Sequence, residues 1–214
     1  MSGPAISDAV AALFTNDTVI CRQWAEQELG PYYRDRSPSR RDITEQRPGV
    51  ALDVGLALGA AEGSPLAAAH VEVWHCDAEG RYSGYPLPAL ASSEGSATPE
   101  HVVEEQFLRG AQESNADGIV EFHTIYAGWY PGRTVHIHVI AKWAGRTFTS
   151  QLYFPDEVTD QVFSQPPYSN RPGRDTTNAS DTIFPTGGEP AVLDTVTTTG
   201  GYAAAARLHL PVDR

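Results

Sequence analysis

Sulfur and positive charge are both in short supply in this chain, and each shortage closes off a class of function. The 214 residues hold two cysteines, Cys21 and Cys76. Two are too few for a disulfide scaffold, and neither belongs to a Cys-x-x-Cys pair, which argues against a sulfur-rich zinc site. They either form one bridge in an oxidising compartment or stay as buried thiols in a reducing one. Fifteen Lys and Arg are outweighed by 27 Asp and Glu, giving a net charge of −12 and a pI near 4.9. That balance argues against nucleic acid or an anionic membrane as partner. No apolar run approaches the roughly 18 residues that a membrane-spanning helix needs. Residues 1–8 lack the basic and apolar regions of a secretory signal, so the expected compartment is the cytoplasm, although a secreted protein stripped of its leader would read the same. There is no internal repeat and no low-complexity tail.

What the chain does have is turn residues at regular intervals, with 19 glycines and 16 prolines. They separate short runs rich in β-branched and aromatic residues, the signature of many strands joined by turns. Strands are expected at 50–58, 69–75, 119–124, 134–143, 147–154, 191–198 and 203–210. A short amphipathic helix is expected at 5–14 and a helical turn at 155–163. The length suits one domain over residues 1–214 with a sizeable core. Many strands and few helices imply an all-β, antiparallel β-sandwich with long loops and a short N-terminal helix. Two long stretches, 30–48 and 168–189, resist assignment, and loops of that length usually cover or line a site. The triplet Asn178-Ala-Ser180 matches a glycosylation acceptor but, without a secretory signal, reads as chance.

Chemistry concentrates in Gly128-Trp-Tyr-Pro-Gly-Arg-Thr-Val-His-Ile-His138. His136 and His138 are two apart in a β-branched run, so a strand places both imidazoles on one face while Val135, Ile137 and Val139 face a core. Side by side, two histidines can bind one metal ion, and zinc, copper and non-haem iron all accept imidazole. A lone histidine on a strand is more often a half-buried polar group with one hydrogen bond. The pair alone leaves both the metal and the reading open.

A second segment, Val71 to Tyr85, runs from a strand through an Asp77-Ala-Glu-Gly80 turn to Tyr82 and Tyr85. Tyr130 sits in a Gly/Pro-bracketed turn three residues before Arg133. With these residues in place, the chain resembles the intradiol ring-cleavage dioxygenases, non-haem iron enzymes that open catechols. The likeness covers most of the chain, from Gly30-Pro-Tyr-Tyr33 through Arg41-Asp-Ile43 to Arg174-Asp-Thr-Thr-Asn178. It is strongest to the small single-domain branch with Trp-His-Cys-Asp and Gly-Trp-Tyr-Pro-Gly-Arg signatures. The resemblance implies Tyr82, Tyr130, His136 and His138 as ligands of Fe(III), Arg133 and Gln151 as active-site residues, and Gly30, Pro31 and Tyr32 as pocket lining. Trp129 is read as a pocket wall or, equally, as packing. Leu29 and Ala127 depart from the family pattern, and Leu29 leaves the pocket's shape open.

Charge balance points the same way on its own terms. Two tyrosinates and a hydroxide offset a trivalent ion, while neutral imidazoles leave the sum unchanged. The implied reaction takes a small catechol-type diol and O2 to a cis,cis-muconate-type diacid, with Tyr130 as ligand and general base and Arg133 stabilising developing negative charge. Which diol is used stays open among catechol, hydroxyquinol, protocatechuate and substituted or lignin-derived diols. A homodimer is the expected assembly. The competing readings are a zinc or copper enzyme, and a non-catalytic β-sandwich whose exposed tyrosines and tryptophans grip a sugar or aromatic ligand. His75 and Cys76 read as packing, and His70, His101, His123 and His209 carry no paired spacing.

Overall fold

The computed structural model describes residues 6–15, 21–35, 37–60, 63–85 and 104–210. Among these residues nine strands form two sheets with one apolar core between them. The first sheet holds β1 (Cys21–Gln23), β2 (Ala51–Gly59), β5 (Ile119–Ile125), β8 (Asp194–Thr197) and β9 (Gly201–His209), in the order β1-β9-β2-β5 with β8 also on β9. The second holds β3 (His70–Trp74), β4 (Arg109–Glu113), β6 (His136–Trp143) and β7 (Arg146–Tyr153), in the order β4-β3-β6-β7. Helices α1 (Asp8–Thr15) and α2 (Asp156–Phe163) complete the regular elements among the described residues, beside four short 3-10 turns between Tyr168 and Ala191. The all-β sandwich is the one expected. Among the described residues no helix is long and apolar enough to cross a membrane.

The first sheet departs from a purely antiparallel pattern. β9 runs parallel to both β1 and β2 and is antiparallel only to β8. Alternating polarity reports which face a side chain occupies and says nothing about strand direction. Strands β1 and β4 were not expected, and both are short.

Alternation fills the core. Leu52, Val54, Leu56 and Leu58 of the first sheet meet Val71, Val73, Ile137, Val139 and Leu152 of the second. On the far side of the first sheet, α1 buries Val10 and Leu13 against Ala203 and Ala205. A Cβ at Gly55 would lie 2.2 Å from Val10 Cγ1, so the missing side chain is what lets the helix lie flat there. Each such buried aliphatic contributes about 1.5–3 kcal/mol.

The outer face of the second sheet is roofed by the chain before β2. Gln27 N–H bonds Thr149 O at the β7 edge, and Arg40 N–H bonds Ala111 O on β4. Between those anchors the segment crosses the sheet in the order of its strands. Glu28 O accepts from Gln151 of β7, Gly30 lies on His138 of β6, and Tyr33 packs on Trp74 of β3. Residues 27–35 and 37–40 are thus a strap over the sheet, whereas Arg41 and Ile43 bond His123 of β5 in the first sheet.

Candidate metal centre

Strand β6 presents its two histidines to the space under the strap. His136 and His138 share the outer face with Ile140, whereas Ile137 and Val139 enter the main core. His138 is flanked by Trp74 on one side and Gln151 on the other. Its ring stacks on Trp74 with centroids 4.9 Å apart and planes 2° from parallel. Gly30, at φ +74°, lies so close that a Cβ there would meet His138 Cε1 at 2.8 Å. His136 Nδ1 donates to Thr134 O at 2.6 Å, which leaves Nε2 with the lone pair.

Four donor atoms converge at this point. His136 Nε2 lies 3.2 Å from His138 Nε2, 3.1 Å from the Tyr130 hydroxyl and 3.5 Å from the Tyr82 hydroxyl. Two nitrogens each about 2.0–2.1 Å from one ion, at right angles, sit roughly 3 Å apart, so the spacing fits a shared ion. His138 Nδ1 has no hydrogen-bond partner among the described residues, and the imidazole's polar engagement runs through Nε2 into the cluster. Among the described residues no three His, Cys, Asp or Glu side chains gather to hold a metal. The donors are phenol and imidazole, and hard anionic phenolates suit a trivalent ion better than a divalent one.

Burial tunes all four groups toward neutrality when no cation is bound. It raises the phenol of Tyr82, with Tyr130 adding to the effect. It raises Tyr130 as well, against the pull of nearby Arg133. His136 falls to about 3 through burial and the Arg133 charge, and His138 falls through burial and its neighbour His136. Neutral imidazole is the metal-binding form, so both histidines are ready to ligate across the physiological range. The phenols give up their protons only to a strong local charge.

The surrounding rings are enclosed. Tyr32 stacks on Tyr82 at 4.3 Å and 14°, with its edge contacts to Tyr85 at 5.3 Å and Tyr130 at 6.2 Å. Tyr32, Tyr82 and Tyr85 are buried. They are not the exposed rings that a sugar-gripping or aromatic-gripping surface requires. Tyr130 alone of the four candidate ligands is part-exposed.

Beside the cluster, Arg133 is held from two sides. Its Nε donates to Asp181 Oδ2 at 2.9 Å and its Nη2 to Gln151 Oε1 at 2.6 Å. Asp181 also accepts from the backbone N–H groups of Thr134, Ile183 and Phe184 at 2.7–2.8 Å. Burial alone would raise its carboxyl, but these bonds and Arg133 outweigh burial and keep it below the usual range. For Arg133, burial is likewise outweighed, by Tyr130 and Asp181, so its charge is secure. A fixed cation thus sits next to the four donors.

A family model described as Dioxygenase matches residues 29–167, well over half of the chain. The chain belongs to the intradiol ring-cleavage dioxygenase family. It is 28% identical to the intradiol ring-cleavage dioxygenase of Tetranychus urticae, with a TM-score of 0.82 over 91% of this chain and 97% of that one. The dioxygenase domain of a dioxygenase–carbohydrate-binding fusion from Streptomyces sp. SirexAA-E is 27% identical, with a TM-score of 0.65 over 90% and 100%. A chlorocatechol 1,2-dioxygenase of Rhodococcus opacus is 25% identical over 61% of this chain and 56% of its own length, so the present chain spans about half of that curated relative. Family members are dioxygenases that use non-haem iron.

Of the residues singled out in this family member's sequence, Tyr82, Tyr130, His136 and His138 come together, with Arg133, Gln151, Gly30 and Tyr32 around them. Pro31 is exposed on the outer side of the strap. Trp129 packs in the main core under the Arg171 guanidinium, 4.0 Å from its ring centroid. His75 is a packing residue, its ring nitrogens bonded to Cys76 O and the Thr124 hydroxyl at 2.8 and 2.7 Å. Cys76 is a buried free thiol. His70 and His123 make surface pairs with Glu113 and Asp53, and His101 lies outside the described residues. The Asn178 amide is committed internally to Phe154 O and the Thr134 hydroxyl. Asp181 was not anticipated: its only sequence signal is an acidic residue in a long polar loop.

Proposed function

We propose that this protein cleaves a catechol-type diol between its hydroxylated carbons with O2, at a ferric ion held by Tyr82, Tyr130, His136 and His138. One observation carries the reading: two phenol oxygens and a second imidazole nitrogen lie within 3.5 Å of His136 Nε2. Bound there, the ferric ion supplies the Lewis acidity that makes a chelated catecholate reactive toward O2.

The chain's own residues do the rest. A diol must lose two protons to chelate through both oxygens; Tyr130 takes one of them onto its phenolate oxygen and the other passes to solvent. Tyr130 would be the candidate ligand best placed to accept that proton, being part-exposed and carried on the turn Tyr130–Arg133. Arg133, oriented by Asp181 and Gln151, sets a positive charge where the diolate's negative charge develops. Thr134 O fixes the His136 tautomer throughout. The strap residues Gly30 and Tyr32 cover His138 and Tyr82 and keep bulk water from them.

The test is direct. Protein loaded with ferric iron should bind one ion per chain, take on the burgundy colour of iron tyrosinate, and consume one O2 per diol. A panel of catechol, hydroxyquinol, protocatechuate and substituted diols identifies the substrate. A colourless protein that binds no iron and takes up no O2 with any of them would end the proposal.

A further inference from the structure

The two candidate phenolates are anchored very differently, and the difference traces to a buried arginine on β4. A single row of side chains crosses the outer face of the second sheet: Arg109 opposite Trp74, Trp74 opposite His138, His138 opposite Gln151. Arg109 is 2% exposed, and no carboxylate pairs with it among the described residues. Its Nε donates to Ser83 Oγ at 2.7 Å and its Nη2 to Ser83 O at 3.2 Å, while Nη1 is buried without a partner among the described residues. The guanidinium also lies 5.9 Å from the Tyr85 ring centroid. Ser83 is fully buried and directly follows Tyr82.

A guanidinium is seldom buried without an anion, because desolvation disfavours it. An apolar side chain of similar length would fill the space without that penalty. What the arginine adds is a two-point grip on Ser83 and a positive charge on the Tyr82 side of the centre. Tyr82 is further pinned by Tyr32 stacked on its ring and by the turn in which Tyr85 N–H bonds Tyr82 O at 3.1 Å. Tyr130 is held more loosely: its turn closes through Arg133 N–H to Tyr130 O at 3.4 Å, and its ring makes only edge contacts with Tyr32, Tyr82 and His136. It is part-exposed and precedes Pro131 and Gly132, and a Cβ at Gly132 would meet nothing within 4 Å.

We propose that Arg109 is a positioning residue that, through Ser83, holds the Tyr82 phenol in place to ligate the metal. This rests on the ferric site proposed above. Losing a residue that orients a metal ligand typically weakens metal binding about 10- to 100-fold.

The experiment compares ferric-loaded wild type with Arg109→Met, Arg109→Lys and Ser83→Ala, reading the visible tyrosinate absorption and the rate of iron loss to EDTA. Arg109→Met should shift the absorption and release iron about tenfold faster or more. Ser83→Ala should do so by a smaller factor, and Arg109→Lys, which keeps the charge but loses the fork, should fall between wild type and Met. In a Tyr130→Phe background the remaining absorption belongs to Tyr82, so a shift on adding Arg109→Met assigns the effect to that phenolate. A merely structural arginine would lower the unfolding midpoint and leave absorption and release rate unchanged; that result overturns the proposal. If Arg109→Met does not fold, unchanged absorption and release in Ser83→Ala overturn it instead. A wild type that takes up no iron is seen before any variant is compared, and marks failure of the ferric site itself.

Discussion

Asp181 Oδ2 and Arg133 Nε lie 2.9 Å apart, with the carboxylate side chain fully enclosed and the arginine's 13% exposed. The carboxylate therefore works as a fixed counter-charge that aims the guanidinium. Asp181→Asn keeps the shape and removes the charge, leaving Arg133 without its ion-pair partner. The variant should lose about 3 kcal/mol, the lower end of what breaking a buried pair costs. Urea unfolding measures that loss. Its kcat on the preferred diol should fall about tenfold or more, since a misaimed cation stabilises developing charge poorly. Stability and kcat both within twofold of wild type would show that Arg133 does not need this partner.

Gly30 is fixed by two separate constraints. Its φ of +74° is one that other residues rarely adopt, and a Cβ would sit 2.8 Å from His138 Cε1. Gly30→Ala must therefore either lift the strap or turn the His138 ring away from Trp74. Stability should drop by about 1 kcal/mol or more from backbone strain alone. The sharper expectation concerns metal: ferric stoichiometry below one ion per chain at concentrations that saturate wild type. An alanine variant with full iron content would mean that the strap yields and His138 does not depend on it.

How much of this was legible depended on whether a residue's environment is local in sequence. His136 and His138 announce a shared face because strand periodicity is two, and their β-branched neighbours announce the strand. β4 was invisible for the opposite reason. Its sequence Arg-Gly-Ala-Gln-Glu has no apolar alternation. Gly110 faces the core only as an absence, since a Cβ there would lie 2.4 Å from Ile43 Cγ2. Arg109 occupies the site face with its partner Ser83 on a distant turn. Asp181 was equally hidden, because its partners Arg133 and Thr134 belong to another part of the chain. The parallel pairing of β9 with β2 could not be read either, because nothing in the alternation of either strand encodes direction.

Tyr130→Phe separates the role of ligand from the role of base. The ring and its packing remain, and in the proposed site Tyr82, His136 and His138 would still hold iron, so the variant should stay coloured with altered absorption. The proton that Tyr130 would have accepted has to go elsewhere. In weakly buffered solution, diol binding should release one more proton per chain than in wild type, read by an indicator dye, and should proceed about tenfold slower or worse. Binding at the wild-type rate with no extra proton would remove Tyr130 from the proton path.

His75 gives the fold an acid limit that is independent of the metal. Burial lowers it to about 4, and its two ring nitrogens are bonded to Cys76 O and the Thr124 hydroxyl. In the unfolded chain it titrates near 6.5. Between those values the unfolded state binds a proton that the folded state refuses, so stability falls as pH drops from about 6.5 to 4. It levels off below, and above about 6.5 this group has no effect. The full swing is on the order of 3 kcal/mol. His75→Gln is uncharged in both states and keeps a polar group at the site, so its urea midpoint should be lower at pH 7 yet decline less steeply toward pH 4. Comparing metal-free proteins cancels the shared contribution of His136 and His138. Parallel declines in the two proteins would mean that His75 admits its proton without unfolding, and that its buried pocket opens to water more readily than its packing indicates.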